Sequence, residues 1–218
     1  MGDGLHIDWL GRVPYADALA RQADAVEARR AGASGDRLLL LEHPPVVTLG
    51  RSAREENLRT PRAALVARGV EVHEVARGGD VTWHGPGQLV GYLIVDLAAR
   101  GLADAPAFLR LVEAALADAL ARLGVAAEAR PGMTGVFVAG SAPPRKLASI
   151  GLGLRGWISW HGFALNVTTA PHAFSDIVPC GLHGVSMTSL AQELGTERAG
   201  LLDEARAAVA AAFSERLA

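Results

Sequence analysis

Apolar and polar positions along the chain switch repeatedly between a strand period and a helix period. Residues 5–10 read as a short strand, and Pro14 then opens a helix to about Arg30, closed by Gly32 and the loop GASGD. RLLLLE at 37–42 is a continuous apolar run of the buried-strand type. His43-Pro44-Pro45 forbids a helix next, and VVTLG at 46–50 is extended again. Thr60-Pro61 predicts a helix with Thr60 as N-cap and Pro61 at the first helical position, ending at Gly69. VEVHEV at 70–75 alternates as an exposed strand does, whereas QLVGYLIVDL at 88–97 is apolar enough for a central one.

The clearest helical stripe runs from Asp104 to Leu123, with Phe108, Leu111, Val112, Ala115, Leu116, Ala119, Leu120 and Leu123 on one face and Gly124 as its stop. Four strand candidates follow, VAAEAR, TGVFVAG, KLASIGLGLR and WISWHGFALNV, with SAPPR as a turn between the second and third. From Ser189 the pattern returns to helix. Ser189 with Gln192 fits a capping box, and Leu201, Leu202, Ala205, Val209 and Phe213 form a stripe. No internal repeat or long linker interrupts the order, so residues 1–218 are expected to form a single domain. Its class is α+β (α/β type), a mixed sheet with packed helices.

Composition narrows the function classes. A chain of 218 residues removes about 70% of its unfolded-state surface from water, so it needs no disulfide or metal to hold it. Its single cysteine excludes an internal disulfide and any multi-cysteine metal site, which fits a reducing compartment; the cytoplasm is expected. A net charge of −2 speaks against nucleic acid or an anionic membrane as partner. No apolar run approaches the roughly 20 residues of a membrane span. MGDGLHIDWL lacks a basic region and carries Asp3 and Asp8, so no secretory signal is expected there, and His6 stands where a myristoylation motif requires Ser or Thr. Of the 21 basic side chains other than histidine, only Lys146 is a lysine. Arginine cannot give up its proton in a protein and lysine can, so this position invites a proton-transfer reading against the plain one of chance survival.

RGGDVTWHGPGQ at 77–88 is the densest local signal. Its glycines describe either a pair of tight turns or a loop whose backbone approaches a ligand closely, and Arg77, Thr82 and His84 offer polar groups that turns do not need. It is neither a P-loop nor a dinucleotide fingerprint. Cys180, between Pro179 and Gly181, is open to three readings: a small buried hydrophobe, an accessible thiolate nucleophile with His183 nearby, or a zinc ligand together with His183. His84 and His161 each precede a glycine and could orient a substrate carbonyl, though a satisfied buried histidine suits His161 equally well. His6, His43, His73 and His172 are expected on the surface or in loops. No GxSxG elbow supports a serine hydrolase.

Taken together and in this order, RGGDVTWHGPGQ, RKLASIG, HGFALNV and PCG resemble the octanoyltransferases of lipoate biosynthesis, across nearly the whole chain from HPPVVTLGR to SMTSLAQELG. The turn GSAPPR before Lys146 is longer than that family's usual connection. The resemblance implies the fold of the biotin and lipoate protein ligase catalytic domains, and no cofactor or metal. It implies transfer of an octanoyl group from octanoyl-acyl carrier protein to a lysine of lipoyl domains, in 2-oxoacid dehydrogenase complexes and the glycine cleavage H protein, through a cysteine thioester. By the same resemblance Cys180 is the nucleophile and Lys146 its partner. Substrate-binding segments fall on Arg77, Gly78, Gly79, Asp80, Val81, Thr82, Trp83 and His84, on Ser149, Ile150 and Gly151, and on Gly162, Phe163 and Ala164.

The sole lysine and sole cysteine make chemical sense as a pair, because an ammonium favours the thiolate and lysine can later act as a base. Amides following Cys180 are candidates for an oxyanion site, and apolar residues near the motifs are expected to line an acyl tunnel. Arginines between residues 51 and 77 are expected to steer acidic protein partners. Two alternatives stay open: an ATP-dependent lipoate or biotin ligase of the same fold, which would need no nucleophilic cysteine, and a non-catalytic module that binds lipoyl domains or acyl carriers.

Overall fold

The computed structural model describes residues 4–182, 184–196 and 198–218. In chain order the elements are β1 (His6–Arg12), α1 (Tyr15–Arg30), β2 (Arg37–Glu42), β3 (Val46–Leu49), α2 (Arg62–Ala67), β4 (Glu71–Glu74), β5 (Val81–His84), β6 (Gln88–Ile94) and α3 (Ala105–Arg122). There follow β7 (Ala127–Arg130), β8 (Met133–Val138), β9 (Arg145–Arg155), β10 (Ile158–Asn166), β11 (Ser186–Met187), α4 (Leu190–Leu194) and α5 (Leu201–Arg216).

The long strands form one mixed sheet in the order β1-β2-β6-β10-β9-β8-β7, with β11 beside β9. Among the described residues of this sheet, β1 with β2 and β11 with β9 run parallel and the other pairs antiparallel. Alternate residues of the central strands divide two cores. Leu38, Leu40, Leu89, Leu93, Phe163 and Leu165 face α3 and α5, whereas Leu39, Leu41, Val90, Tyr92 and Ala164 face the side of α1. The continuous apolar runs of β2 and β6 follow from this, since strands covered on both faces have no side left for polar residues. A second, three-stranded sheet in the order β4-β3-β5 has its own small core of Val47, Leu49, Leu65, Val81 and Trp83.

Several local expectations are corrected. The segment 77–88 is not loop throughout, because Val81–His84 forms a buried strand paired with β3. Thr60 does not cap α2: Pro61 occupies the cap position, and the Thr60 hydroxyl donates to Asp176 Oδ1 at 2.6 Å. The Ser189 side chain makes no capping hydrogen bond, and the C-terminal helix is split into α4 and α5 by Gly195 and Gly200, both with positive φ. Asp104 does cap α3, accepting from the Ala107 amide at 2.9 Å.

Asp36 fastens the end of the sheet to its surroundings. Its buried carboxylate accepts from Arg29 Nε at 2.7 Å, from the Asp96 amide at 3.0 Å and from Arg100. Burial by itself would raise its pKa; the hydrogen bonds from Arg29, from the Asp96 amide and from Arg100 overcome that and hold it below the usual carboxylate value. A depressed native pKa contributes stability that is fully present above the unfolded value near 4 and is lost as pH falls through the native one. Asp36→Asn is therefore expected to lower stability at neutral pH by about 2 kcal/mol or more in urea unfolding, and to flatten the loss of stability on acidification. An unchanged acid limb would show that the carboxylate is not what holds this corner.

Candidate active site

The site lies where the small sheet meets the central one, on the α1 side, and its reactive atoms come from distant segments. Cys180 sits in a single 3-10 turn, Pro179–Gly181, with φ 57° and ψ 17°, a left-handed conformation rare for any residue but glycine or asparagine. The turn is pinned from below. Asp80 accepts from Asn57 Nδ2 at 2.6 Å and from the Val81 amide at 2.7 Å, and the Val178 amide donates to Asn57 O at 2.8 Å. Gly181, itself left-handed at φ 64°, packs so close to this pair that a Cβ would stand 2.7 Å from Asp80 Oδ2. Asp80 thus holds the thiol loop as well as lining the cavity.

Lys146 reaches the same point from β9. Its side chain is 1% exposed, and Nζ donates to Thr134 O at 2.8 Å and to Cys180 Sγ at 3.5 Å. No carboxylate pairs with it among the described residues. The strand β8 leaves room for it only because residue 135 is glycine: at φ 125° a Cβ would lie 2.6 Å from Lys146 Cε and 2.5 Å from Ala148 O. The buried Glu113 of α3 accepts from the Gly135 amide at 3.0 Å and fixes that turn of backbone. On the other side of the sulfur, Ser149 Oγ lies 3.6 Å from Sγ.

Beyond the sulfur opens a cavity of about 220 Å³. From the glycine-rich segment it receives Arg77, Gly79, Asp80, Thr82 and His84; from β9, Ser149, Ile150 and Gly151; from β10, His161, Gly162, Phe163 and Ala164. Gly78, Val81 and Trp83 lie outside its lining. The Gly78 amide instead donates to Leu152 O at 2.9 Å, fastening the segment to β9, and Trp83 packs edge-on against Phe174 in the small core. His183 is outside the described residues. Tyr15, Val90, Tyr92 and Thr134 also line the cavity, and sequence reading missed them. Val90 and Tyr92 alternate on one face of a strand that reads as plain core, and nothing local marks Tyr15 at the start of α1 or Thr134 as a lysine acceptor.

Apolar side chains such as Val90, Ile150 and Phe163 line the cavity, and polar groups join them. Arg77 is buried, donating to Thr48 O at 2.8 Å, Thr48 Oγ1 at 2.9 Å and Gly78 O at 3.0 Å. His84 Nδ1–H donates to Gln88 Oε1 at 2.7 Å, Gln88 Nε2 to Asn166 Oδ1 at 2.9 Å, and Asn166 Nδ2 to Thr188 O at 2.9 Å. That chain ties the small sheet, the central sheet and the approach to α4 together. His43 is not on the surface but fully buried, donating from Nδ1 to Val13 O and accepting at Nε2 from the Tyr92 hydroxyl, both at 2.7 Å. Burial, reinforced for each by neighbouring positive charge, pushes the pKa of His84 and of His161 down to about 3, so both rings are neutral at neutral pH. Burial also pushes Tyr15 up to about 12 and Tyr92 well above its ordinary value.

Two further expectations change. The amides after Cys180 are not free for an oxyanion, because Gly181 N donates to Val178 O and Leu182 N to Pro179 O, each at 3.1 Å. The arginines between 51 and 77 do not form an open positive patch: Arg62 pairs with Glu55 and Glu74, Arg68 with Asp176, Arg54 with Glu56, and Arg77 is buried. Arg51 and Arg59 are left without an ion pair among the described residues.

Residues 14–214 match the lipoyl protein ligase A/B catalytic domain family. The octanoyltransferase of Acidobacterium capsulatum is 48% identical over 203 residues, covering 89% of this chain and 82% of that protein. That of Geobacter sulfurreducens is 48% identical over 205 residues, covering 94% and 81%. The Myxococcus xanthus octanoyltransferase is 47% identical over 206 residues, but the chain spans only 57% of its length. Among solved structures, a lipoate-protein ligase A bound with ATP superposes with TM-score 0.73 at 18% identity, covering all of this chain and 86% of the other. An Aquifex aeolicus biotin protein ligase superposes with TM-score 0.52 at 11% identity, covering 97% and 72%. The fold is thus that of the lipoate and biotin ligase catalytic domains, and the chain, an acyltransferase, belongs to the octanoyltransferases within the lipoyl protein ligase A/B catalytic family.

Proposed function

We propose that this enzyme, in the cytoplasm, moves an octanoyl group from octanoyl-acyl carrier protein to a lysine of lipoyl domains, in 2-oxoacid dehydrogenase complexes and the glycine cleavage H protein, through a thioester on Cys180. The observation that supports it most is the 3.5 Å contact between the only lysine and the only cysteine, with the cysteine lining a cavity.

The chemistry closes as a cycle. In the resting pair Lys146 is an ammonium beside the Cys180 thiolate. The sulfur attacks the carrier's thioester carbonyl, the carrier sulfur leaves, and Lys146 gives it the proton, becoming a neutral amine. An acceptor lysine, having shed its ammonium proton to water, attacks the Cys180 thioester. Lys146 takes the proton from its nitrogen as the Cys180 sulfur leaves, which restores the starting pair. Thr134 O, aimed at Nζ, keeps the amine on the sulfur's side through both halves. The thioester donor carries the activation that a ligase would draw from ATP, so no nucleotide is needed.

Three outcomes are expected. Wild-type protein mixed with octanoyl-acyl carrier protein, without nucleotide or magnesium, gains one hydroxylamine-labile octanoyl group by intact-protein mass, and Cys180→Ala gains none; strict dependence on ATP would make the chain a ligase instead. Lys146→Arg, which keeps the charge but cannot accept a proton, loses at least about 100-fold in transfer to the lipoyl domain, the usual scale of a general base. Wild-type-like turnover in that variant would reduce the lysine to an electrostatic role. Gly135→Ala leaves both catalytic residues in the sequence but drives its Cβ into Lys146 Cε, displacing Nζ from the sulfur, so transfer per folded molecule should fall by about tenfold or more, with the unfolding midpoint lowered as well by the left-handed backbone and the clash with Ala148 O. Unchanged transfer in that variant would show that the 3.5 Å contact is dispensable.

A further inference from the structure

His161 stands apart from every other residue of the cavity. Along β10 the even positions Ile158, Trp160 and Ala164 face the α1 side, and Phe163 and Leu165 face α3 and α5. Strand alternation would send His161 with the second group. Instead its backbone is left-handed at φ 56°, its amide turns to donate to Gln22 Oε1 of α1 at 2.8 Å, and its ring comes round to the cavity side. There it is clamped, with its centroid 4.0 Å from that of Trp160 and Tyr92 edge-on at 6.4 Å. The residue is 2% exposed, and neither ring nitrogen has a hydrogen-bond partner among the described residues; Thr82 Oγ1 in the same cavity has none among them either.

A strained, buried and unpartnered polar ring is costly, so its position calls for a use. The strand register supplies one. Ser149, 3.6 Å from the nucleophilic sulfur, pairs with Ala164, and His161 pairs with Leu152 three positions further along the same two strands. Three strand residues span about 10 Å, which is about the reach of an extended octanoyl chain. We propose that His161 is the length gauge of the acyl site: an octanoyl group bound to Cys180 lies along the Ser149–Leu152 stretch of β9 and ends against the imidazole. This rests on the reading of Cys180 as the acylated residue. The ring closes the cavity sterically, so a chain longer than octanoyl runs into it. A role for His161 at the substrate carbonyl does not suit a ring this far along the strand from the sulfur.

The test compares octanoyl and dodecanoyl thioesters of the same carrier protein, reading the rate of acyl-enzyme formation by mass. His161→Asn shortens the wall with a residue that tolerates left-handed backbone. It should raise the dodecanoyl-to-octanoyl ratio by about tenfold or more, the selectivity that one or two methylene groups of burial carry. His161→Phe keeps a ring of similar size and should still favour octanoyl. An unchanged ratio in the asparagine variant, or loss of the octanoyl preference in the phenylalanine variant, overturns the gauge. Both readouts are ratios, which a general loss of folded protein does not move. If wild-type protein is acylated by neither thioester, the proposed function itself fails, a result distinct from acylation whose length preference ignores residue 161.

Discussion

The contact between Lys146 Nζ and Cys180 Sγ is the constraint around which the rest of the molecule is arranged. A buried lysine with one carbonyl and one sulfur as partners is expensive to hold, and a cysteine in left-handed backbone is strained. Neither would persist unless packing over-determined it. Glu113 and Gly135 fix the backbone beside the lysine, and Asp80 with Asn57 fixes the floor beneath the cysteine. These supports come from α3, β8, the small sheet and the loop before α2, so the pair forms only when both sheets are in place. Preorganisation of this kind lowers the cost of reaching the transition state, because the reacting atoms need no rearrangement when the substrate arrives.

The small sheet has a clear place in this arrangement. It carries Thr48, which receives Arg77, and it carries Thr82 and His84, which wall the cavity. The buried chain from His84 through Gln88 and Asn166 to Thr188 O locks it to the central sheet. Fully satisfied polar chains fix one geometry where apolar contacts alone would allow sliding. The neutral state of His84 and His161 suits the proposed acyl site, since a charged imidazole there would draw in water.

Much of this was legible in the sequence because it follows from periodicity. The runs at 37–42 and 88–97 are apolar on both sides and are indeed sheet centre, and the stripe from Asp104 to Leu123 is α3 with its aspartate cap. Cys180 and Lys146 were conspicuous by their rarity and by the motifs around them. What sequence could not show came from side chains that choose tertiary partners over local ones. Thr60 turns to Asp176. His43 carries no motif, yet it is buried because Val13 O and the Tyr92 hydroxyl meet there. The left-handed backbone of His161 within its strand goes with an amide hydrogen bond to Gln22, 139 residues away, and no local pattern announces it.

The account stands on the acyl-enzyme as a true intermediate in a shielded site, and kinetic competence measures that directly. Octanoyl-Cys180 enzyme, freed of donor and mixed with excess apo lipoyl domain in a rapid-quench instrument, should pass its acyl group to the acceptor lysine at least as fast as steady-state turnover. In the absence of acceptor it should persist far longer than one turnover. Transfer slower than turnover would place the adduct off the reaction path and contradict the mechanism built on the Lys146–Cys180 pair.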